Sequence, residues 1–308
     1  MELHQLRYFV AVAQVGNFSR AAEICHVSQP SLSQQIQKLE RRLKQRLLDR
    51  LGKRAVLTDA GKVLFDQAVH ILTSVDNAER QVKEFDTMAG GRLAVGAIPT
   101  IAPYIFPGAL QTFSRQYPAV ELIIHEDLTT HLLNASVAGD LDLALLALPV
   151  SDDRLTCETL LTEPLFLALP NQHPLARGKR ITLQDLQDER FIVLDEMHCF
   201  GEQVLSICRE EGCKRIACRS SQLSTVQTLI ALGQGISLLP AMAVSADRGR
   251  RICYRHLAGD EPTRTIVAAW NRHRYRSSSA ERFLELLKAQ VKHGQRRLPV
   301  NDRPSGTP

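Results

Sequence analysis

Apolar residues recur at helical spacing from the start of the chain: Leu3, Leu6, Phe9, Val10 and Ala13 predict a first helix. After Asn17, the stretch Phe18–Ile24 predicts a short second helix with small residues on one side. Ser28 suits the cap of a third, and Pro30 is tolerated because it falls in the first turn. That helix runs from Leu32 to about Leu43 and buries Leu32, Ile36 and Leu39. Its other faces carry Ser31, Ser33, Gln34, Gln35, Lys38, Arg41 and Arg42. Two short helices joined by a tight turn, the second rich in amides, predict a helix-turn-helix. The stretch Leu47–Thr58 then predicts a small β-wing bearing Arg50, Lys53 and Arg54.

Residues 59–88 read as one long helix. Within it Leu64, Ala68, Ile71, Val75, Ala78, Val82 and Phe85 alternate four and three apart, the rhythm of a coiled-coil seam. Such a seam needs a partner, most simply the same helix of a second subunit. A helix of this length reaches roughly 45 Å, enough to hold two DNA-reading modules apart. Ala89-Gly90-Gly91 ends it as a hinge.

From Arg92 the rhythm changes to strands alternating with helices. The predicted strands are Leu93–Ile98, Val120–His125, Leu141–Leu148, Leu165–Pro170, Phe191–Leu194, Arg215–Arg219, Ile236–Pro240 and Thr265–Asn271. Helices fit between them at Ile101–Gln116, Thr130–Ala138, Glu202–Glu210, Leu223–Leu232 and Ser279–His293. The expected class is α+β overall: a mainly α winged helix-turn-helix over 1–58, a linker helix over 59–88, and an α/β sensor domain over 91–296. Mainly parallel strands are expected in the sensor. Its two lobes should be roughly 91–161 plus 268–296, and 162–267, with a disordered tail over 297–308.

Charge sharpens the first domain. The chain has 308 residues and a formal net charge of +5. Residues 1–58 hold ten Lys and Arg against four Asp and Glu, so ten minus four places +6 there. A concentrated basic face is what phosphate neutralisation requires. Gln pairs with adenine edges and Ser bonds bases or phosphates. The predicted DNA contacts are Ser28, Gln29, Pro30, Ser31, Ser33, Gln34, Lys38, Arg50 and Arg54. A merely solvated charged surface is the plainer alternative. Apolar stretches are too short to span a bilayer, and the N-terminus lacks the basic and apolar regions of a secretory signal. A cytoplasmic protein with no membrane partner is expected.

The seven cysteines are an odd number and should be thiols in a reducing compartment. His198, Cys199, Cys208, Cys213 and Cys218 are close in sequence, but no CxxC pair is present, so no metal and no cofactor are expected. Nor is there a GxSxG or HExxH motif, and an enzyme is not expected. Thr100 and Thr129 each fall where a predicted strand gives way to a helix. Ligands bind at such junctions, and helix capping is an equally good use for either hydroxyl.

The blocks Gln5–Ala13, Phe18–Ala22, Val27–Ser33, Leu39-Glu40 and Leu57–Gly61 closely resemble the LysR-type transcriptional regulators. Gly139–Ala144 and Gly233–Pro240 extend the resemblance through the sensor. The family implies a bilobed, periplasmic-binding-protein-like effector domain, a homodimer or homotetramer on double-stranded promoter DNA, and RNA polymerase as a partner. Cys25–Pro30, Ile98-Pro99-Thr100 and His198-Cys199 followed by Cys208 resemble the family's peroxide-sensing branch. That resemblance implies Cys199 as the thiol oxidised by hydrogen peroxide and Cys208 as its resolving partner in a disulfide. It also implies Thr100, Thr129, His198 and Arg264 around the peroxide, activation of antioxidant genes, and a thiol reductant to reset the sensor. Met197, where glycine is usual, and the extra thiols Cys213, Cys218 and Cys253 depart from the pattern. A cleft-bound metabolite with incidental cysteines is the alternative signal.

Overall fold

The computed structural model describes residues 1–51, 54–86, 91–178, 180–195, 199–213, 215–247, 249, 251–259 and 261–295. His198, Met197, Lys53, the Ala89-Gly90 part of the expected hinge and the 297–308 tail lie outside the described residues, as do the side chains of Arg50 and Phe85. The chain forms two units, described in turn.

The first unit begins with α1 (Leu3–Val15), α2 (Phe18–Ile24) and α3 (Gln29–Leu43). Local chemistry sets their ends. Gly16 closes α1 in the left-handed region at φ 67°, where a side chain would be strained. Asn17 caps α2 by accepting hydrogen bonds from Ser19 N at 2.9 Å and Arg20 N at 3.1 Å. Ser28 caps α3 by accepting from Ser31 N, with Pro30 inside the first turn. Leu6, Phe9, Val12, Leu32, Ile36 and Leu39 make the core.

The wing follows as an antiparallel pair, β1 (Leu48–Leu51) and β2 (Arg54–Leu57), with Leu51 opposite Arg54. Glu40 on α3 fastens it: its Oε1 accepts from Leu47 N at 2.9 Å and Leu48 N at 3.3 Å. The long helix α4 spans Asp59–Asp86. Only part of its predicted seam is free to meet a second subunit. Ala68 is buried in the core of this unit, and Leu64 and Ile71 pack against the same core. Val75 is half-buried, while Ala78 and Val82 are exposed. The apolar rhythm is satisfied first by the protein's own α1, whose contact with α4 uses that half of the seam.

The second unit comprises β3 (Gly91–Ala97), α5 (Ala102–Gln116), β4 (Val120–Glu126), α6 (Thr129–Ala138), β5 (Leu143–Ala147) and β6 (Leu155–Pro170). It continues with β7 (Arg190–Leu194), α7 (Cys199–Glu210), β8 (Arg215–Ser220), α8 (Leu223–Ala231) and β9 (Ser237–Pro240). It ends with α9 (Ala241–Ala246), β10 (Ile252–Arg255), β11 (Thr263–Asn271) and α10 (Ser278–Gln295). Strands β3, β4 and β5 pair in parallel, as do β7 and β8. Strand β11 is antiparallel to both β5 and β6, and β6 is antiparallel to β9 and β10. The sheet is therefore mixed, which corrects the expectation of mainly parallel strands. The reason is that β6 and β11 traverse the unit in opposite directions.

Two apolar cores result. One is built on Leu93–Ile98, α5, β5, Ile266–Ala269 and α10. The other is built on Leu165–Leu169, β7, α7, α8 and β9. Strand β6 serves both, with Leu165–Leu169 in the second core and Leu160 and Leu161 packed against the first, while β11 contributes to the first. The first half of β6 pairs with β11 while exposing Thr156, Cys157, Thr159 and Thr162, so it lacks the alternation that marks a half-buried strand.

Candidate functional site

On the first unit, α3 presents Ser28, Gln29, Pro30, Ser31, Gln34 and Lys38 to solvent, and Arg54 is exposed on the wing. Ser33 is a correction: it lies on the buried face beside Leu32 and Ile36 and is 9% exposed, so it cannot share their surface. Gln35 is half-buried and accepts from Gln5 Nε2 at 3.2 Å, tying α1 to α3. The exposed amides and cations on one helix and an adjoining wing have the chemistry of a base-reading helix and a phosphate-following hairpin.

On the second unit, Ile98, Pro99, Thr100, Leu128, Thr129 and Cys199 line a small, tight pocket. Three of the predicted residues thus converge. Thr100 lies just before α5, and Thr129 is the first residue of α6. Neither hydroxyl caps its helix: the capping positions are Ile101 and Leu128, with no side-chain hydrogen bond at either. Beside α6, Asp127 Oδ1 takes the Leu128 N–H at 2.7 Å. Hydrogen bonding to His131 and to that N–H holds the Asp127 carboxyl below its ordinary range.

Cys199 opens α7, half-buried against the first core, while Phe200, Val204, Leu205 and Cys208 on the same helix enter the second. Gly201 permits this seating. A Cβ there would stand 2.5 Å from Asp195 O and 2.6 Å from Leu194 O, so only glycine lets α7 approach the end of β7. Gln203 Nε2 donates to Thr263 O at 2.8 Å and ties α7 to β11.

Arg264 does not line the pocket; it stands behind Thr100. Its Nη1 donates to Thr100 Oγ1 and its Nη2 to Thr100 O, each at 3.1 Å. Its Nε donates to Glu163 Oε1 at 2.7 Å, and the guanidinium lies 5.0 Å from the centre of the Phe200 ring. Glu163 was not foreseen. A lone carboxylate next to the apolar run Leu165–Leu169 is the sequence signal for it, since such a group is buried only with a partner.

Cys208 is buried, and burial, with Cys213 beside it, pushes its thiol up to about 12. Cys199 and Cys208 are not brought together. Nine residues along one α-helix separate them by about 13.5 Å and half a turn of azimuth, against the roughly 4.4–6.8 Å between Cα atoms that a disulfide spans. Among the described residues, no group of three or more His, Cys, Asp or Glu is placed to hold a metal, and no helix is long and apolar enough to cross a membrane.

Both units have counterparts among known proteins. Residues 3–62 match the bacterial regulatory helix-turn-helix protein model of the lysR family, and residues 87–292 match the LysR substrate binding domain. A hydrogen peroxide-inducible genes activator of Pectobacterium carotovorum is 36% identical over 88% of this chain and 90% of its own. A solved full-length OxyR from Pseudomonas aeruginosa, a cysteine-to-aspartate variant, superposes with a TM-score of 0.71 at 32% identity, covering 100% of this chain and 99% of that one. A mutant OxyR of Corynebacterium glutamicum with hydrogen peroxide bound gives a TM-score of 0.61 at 31% identity, over 95% and 94% of the two chains. The chain belongs to the LysR family of bacterial transcription regulators and resembles its OxyR members over nearly its whole length.

Proposed function

We propose that this regulator senses hydrogen peroxide through Cys199 and activates transcription in response. The observation that carries the reading is the pocket in which Cys199, Thr100 and Thr129 converge. A thiol and two hydroxyls gathered at one point suit a small, polar, oxidising ligand better than a cleft-bound metabolite. Resemblance to an OxyR solved with hydrogen peroxide supports the same choice.

In this reading the Cys199 thiolate attacks one peroxide oxygen, the O–O bond breaks, and the other oxygen leaves as hydroxide, which takes up the proton the thiol released and departs as water, leaving a sulfenic acid. Cys199 is the first residue of α7, and helix N-termini favour negative charge. Thr100, held by Arg264, and Thr129 supply hydroxyls to the departing oxygen, with His198 as a further donor. The Cys208 thiol then attacks the sulfenic sulfur, a second water leaves, and a Cys199–Cys208 disulfide forms. Because the two thiols are on opposite faces of α7, that bond requires the helix to unwind. The unwinding is the switch: a redox event biases a two-state segment.

The DNA contacts assigned to this chain are Ser28, Gln29, Pro30, Ser31, Gln34, Lys38, Arg50 and Arg54. It works as a homodimer or homotetramer in the cytoplasm, with Ala78 and Val82 of α4 at one contact between subunits, and acts on RNA polymerase. A thiol reductant returns it to the starting state. The test is promoter activation together with thiol state after peroxide, in the wild type and in Cys199→Ser. Loss of both responses with DNA binding retained is expected; an undiminished response in the variant overturns the reading.

A further inference from the structure

Helix α7 ends in a way that brings a second pair of cysteines together. Gly212 adopts a left-handed conformation at φ 76°, and Cys213 N donates to Cys208 O at 2.8 Å. This six-to-one closure around a left-handed glycine is the Schellman motif, in which the side chains flanking the closure pack on each other. The usual pair is apolar; here both members are cysteines. Cys208 lies in the second core and Cys213 packs against it. The backbone hydrogen bond alone limits the Cα separation to about 6.7 Å, inside the disulfide range. Cys208 therefore faces two potential partners. Cys213 is within disulfide reach with α7 intact, and Cys199 is not.

We propose that Cys208 and Cys213 form a second disulfide, reached by exchange from the Cys199–Cys208 bond, and that this state desensitises the regulator. The inference rests on the peroxide reading above. The Cys213 thiolate attacks the Cys208 sulfur, the Cys199–Cys208 bond breaks, and Cys199 leaves as thiolate and takes up the proton that Cys213 gave up. One disulfide replaces another, so no further oxidant or reductant is consumed. The direction follows from the helix. A Cys199–Cys208 bond holds α7 unwound, whereas a Cys208–Cys213 bond sits at its closed C-terminus and lets the backbone hydrogen bonds re-form. Cys199 regains its place at the pocket, but its resolving thiol is occupied until a reductant acts.

The test uses full-length protein given one pulse of hydrogen peroxide without reductant, then blocked with an alkylating agent at successive times and digested with trypsin. Cleavage after Arg190, Arg209 and Lys214 places Cys199 and Cys208 in one peptide, 191–209, and Cys213 in another, 210–214. The first disulfide is thus a loop within one peptide, and the second joins two peptides with Cys199 alkylated. The loop should form first and decay into the joined pair. In Cys213→Ser, and in Cys213→Ala as a check on folding, the loop and promoter activation should last about tenfold longer, because the exchange route is gone. A wild-type loop that persists with Cys213 alkylated overturns the inference while sparing the peroxide reading. A joined pair forming at the same rate in Cys199→Ser overturns the exchange route. Absence of the loop from both wild type and Cys213→Ser removes the peroxide reading itself, and this inference with it.

Discussion

Arg264 and Glu163 stand directly opposite each other on β11 and β6 and form an ion pair of 2.7 Å, with side chains 0% and 4% exposed. Each partner reaches further. Glu163 accepts from Met242 N at 2.7 Å with its second oxygen, and Arg264 donates to Thr100 from both terminal nitrogens. One buried network therefore joins both traversing strands, α9 and the pocket wall. Removing one partner of such a pair strands the other charge out of water.

Glu163→Ala should for that reason destabilise the sensor by about 3–5 kcal/mol, read as a fall in the thermal unfolding midpoint. The double variant Glu163→Ala/Arg264→Met should recover much of the loss, since no buried charge remains. The double variant should also slow Cys199 oxidation, because Thr100 loses the guanidinium that anchors it. A Glu163→Ala protein as stable as wild type would show that the guanidinium finds water or another acceptor.

The Cys208 thiol, pushed up to about 12 by burial and the neighbouring Cys213, gives a pH-dependent prediction. In the reduced fold its thiolate is scarcer at pH 8 than that of a free cysteine, whose pKa is about 8.5, by about a thousandfold or more. Its alkylation should be slow by that factor and should quicken tenfold per pH unit up to about 12. The same shift bears on stability. The unfolded chain ionises Cys208 near its ordinary value and the folded chain does not, so the contribution is complete below about pH 9 and is lost as pH rises toward 12. Cys208→Ala should flatten the alkaline arm of the stability profile. Rapid alkylation of Cys208 at pH 8, measured by peptide mass, would mean that α7 opens without peroxide.

The wing depends on one close approach. Thr58 caps α4 by accepting from Gly61 N at 3.0 Å, and its hydroxyl donates to Arg46 O at 2.7 Å. A Cβ on Gly61 would fall 2.1 Å from Leu47 O, which already accepts from Thr58 N. Gly61→Ala must therefore displace the chain where α3 passes into the wing. Thr58→Ala should cost about 1 kcal/mol as a lost cap, and Gly61→Ala more. Both should weaken DNA binding to all sequences alike in a gel-shift titration, since the wing moves as a body.

Much of the first unit was legible because its signals are local. The caps at Asn17 and Ser28, the period of α3 and the apolar-polar alternation of the wing each lie within a few residues. What failed was partnership at a distance. The 4-3 rhythm of α4 says that Leu64, Ala68 and Ile71 must be covered, but not that α1 covers them. Ser33 falls on the inner edge of α3 by an azimuth too small for pattern to resolve. Glu163 and Arg264 are 101 residues apart, and only the register of β6 against β11 makes them neighbours. Thr100 and Thr129 could be read as residues at strand-to-helix junctions, while the engagement of Thr100 with Arg264 came only from the fold.

The exposed side chains of α3 and the wing should divide by salt dependence. Lys38 and Arg54 are exposed cations, suited to phosphates, and each phosphate contact releases about one counterion on binding. Lys38→Ala and Arg54→Ala should each reduce the slope of log affinity against log salt by about 1 and weaken every sequence to a similar degree. Gln29 and Gln34 are exposed amides on the same helix. Gln34→Ala should leave the slope unchanged but cost about 1–3 kcal/mol on the operator and little on unrelated DNA. Fluorescence anisotropy with operator and scrambled duplexes across a salt series separates the two classes. If Gln34→Ala weakened both duplexes equally, α3 would be positioning the protein on the backbone rather than reading bases. A Lys38→Ala slope equal to wild type would remove Lys38 from the phosphate-contacting set.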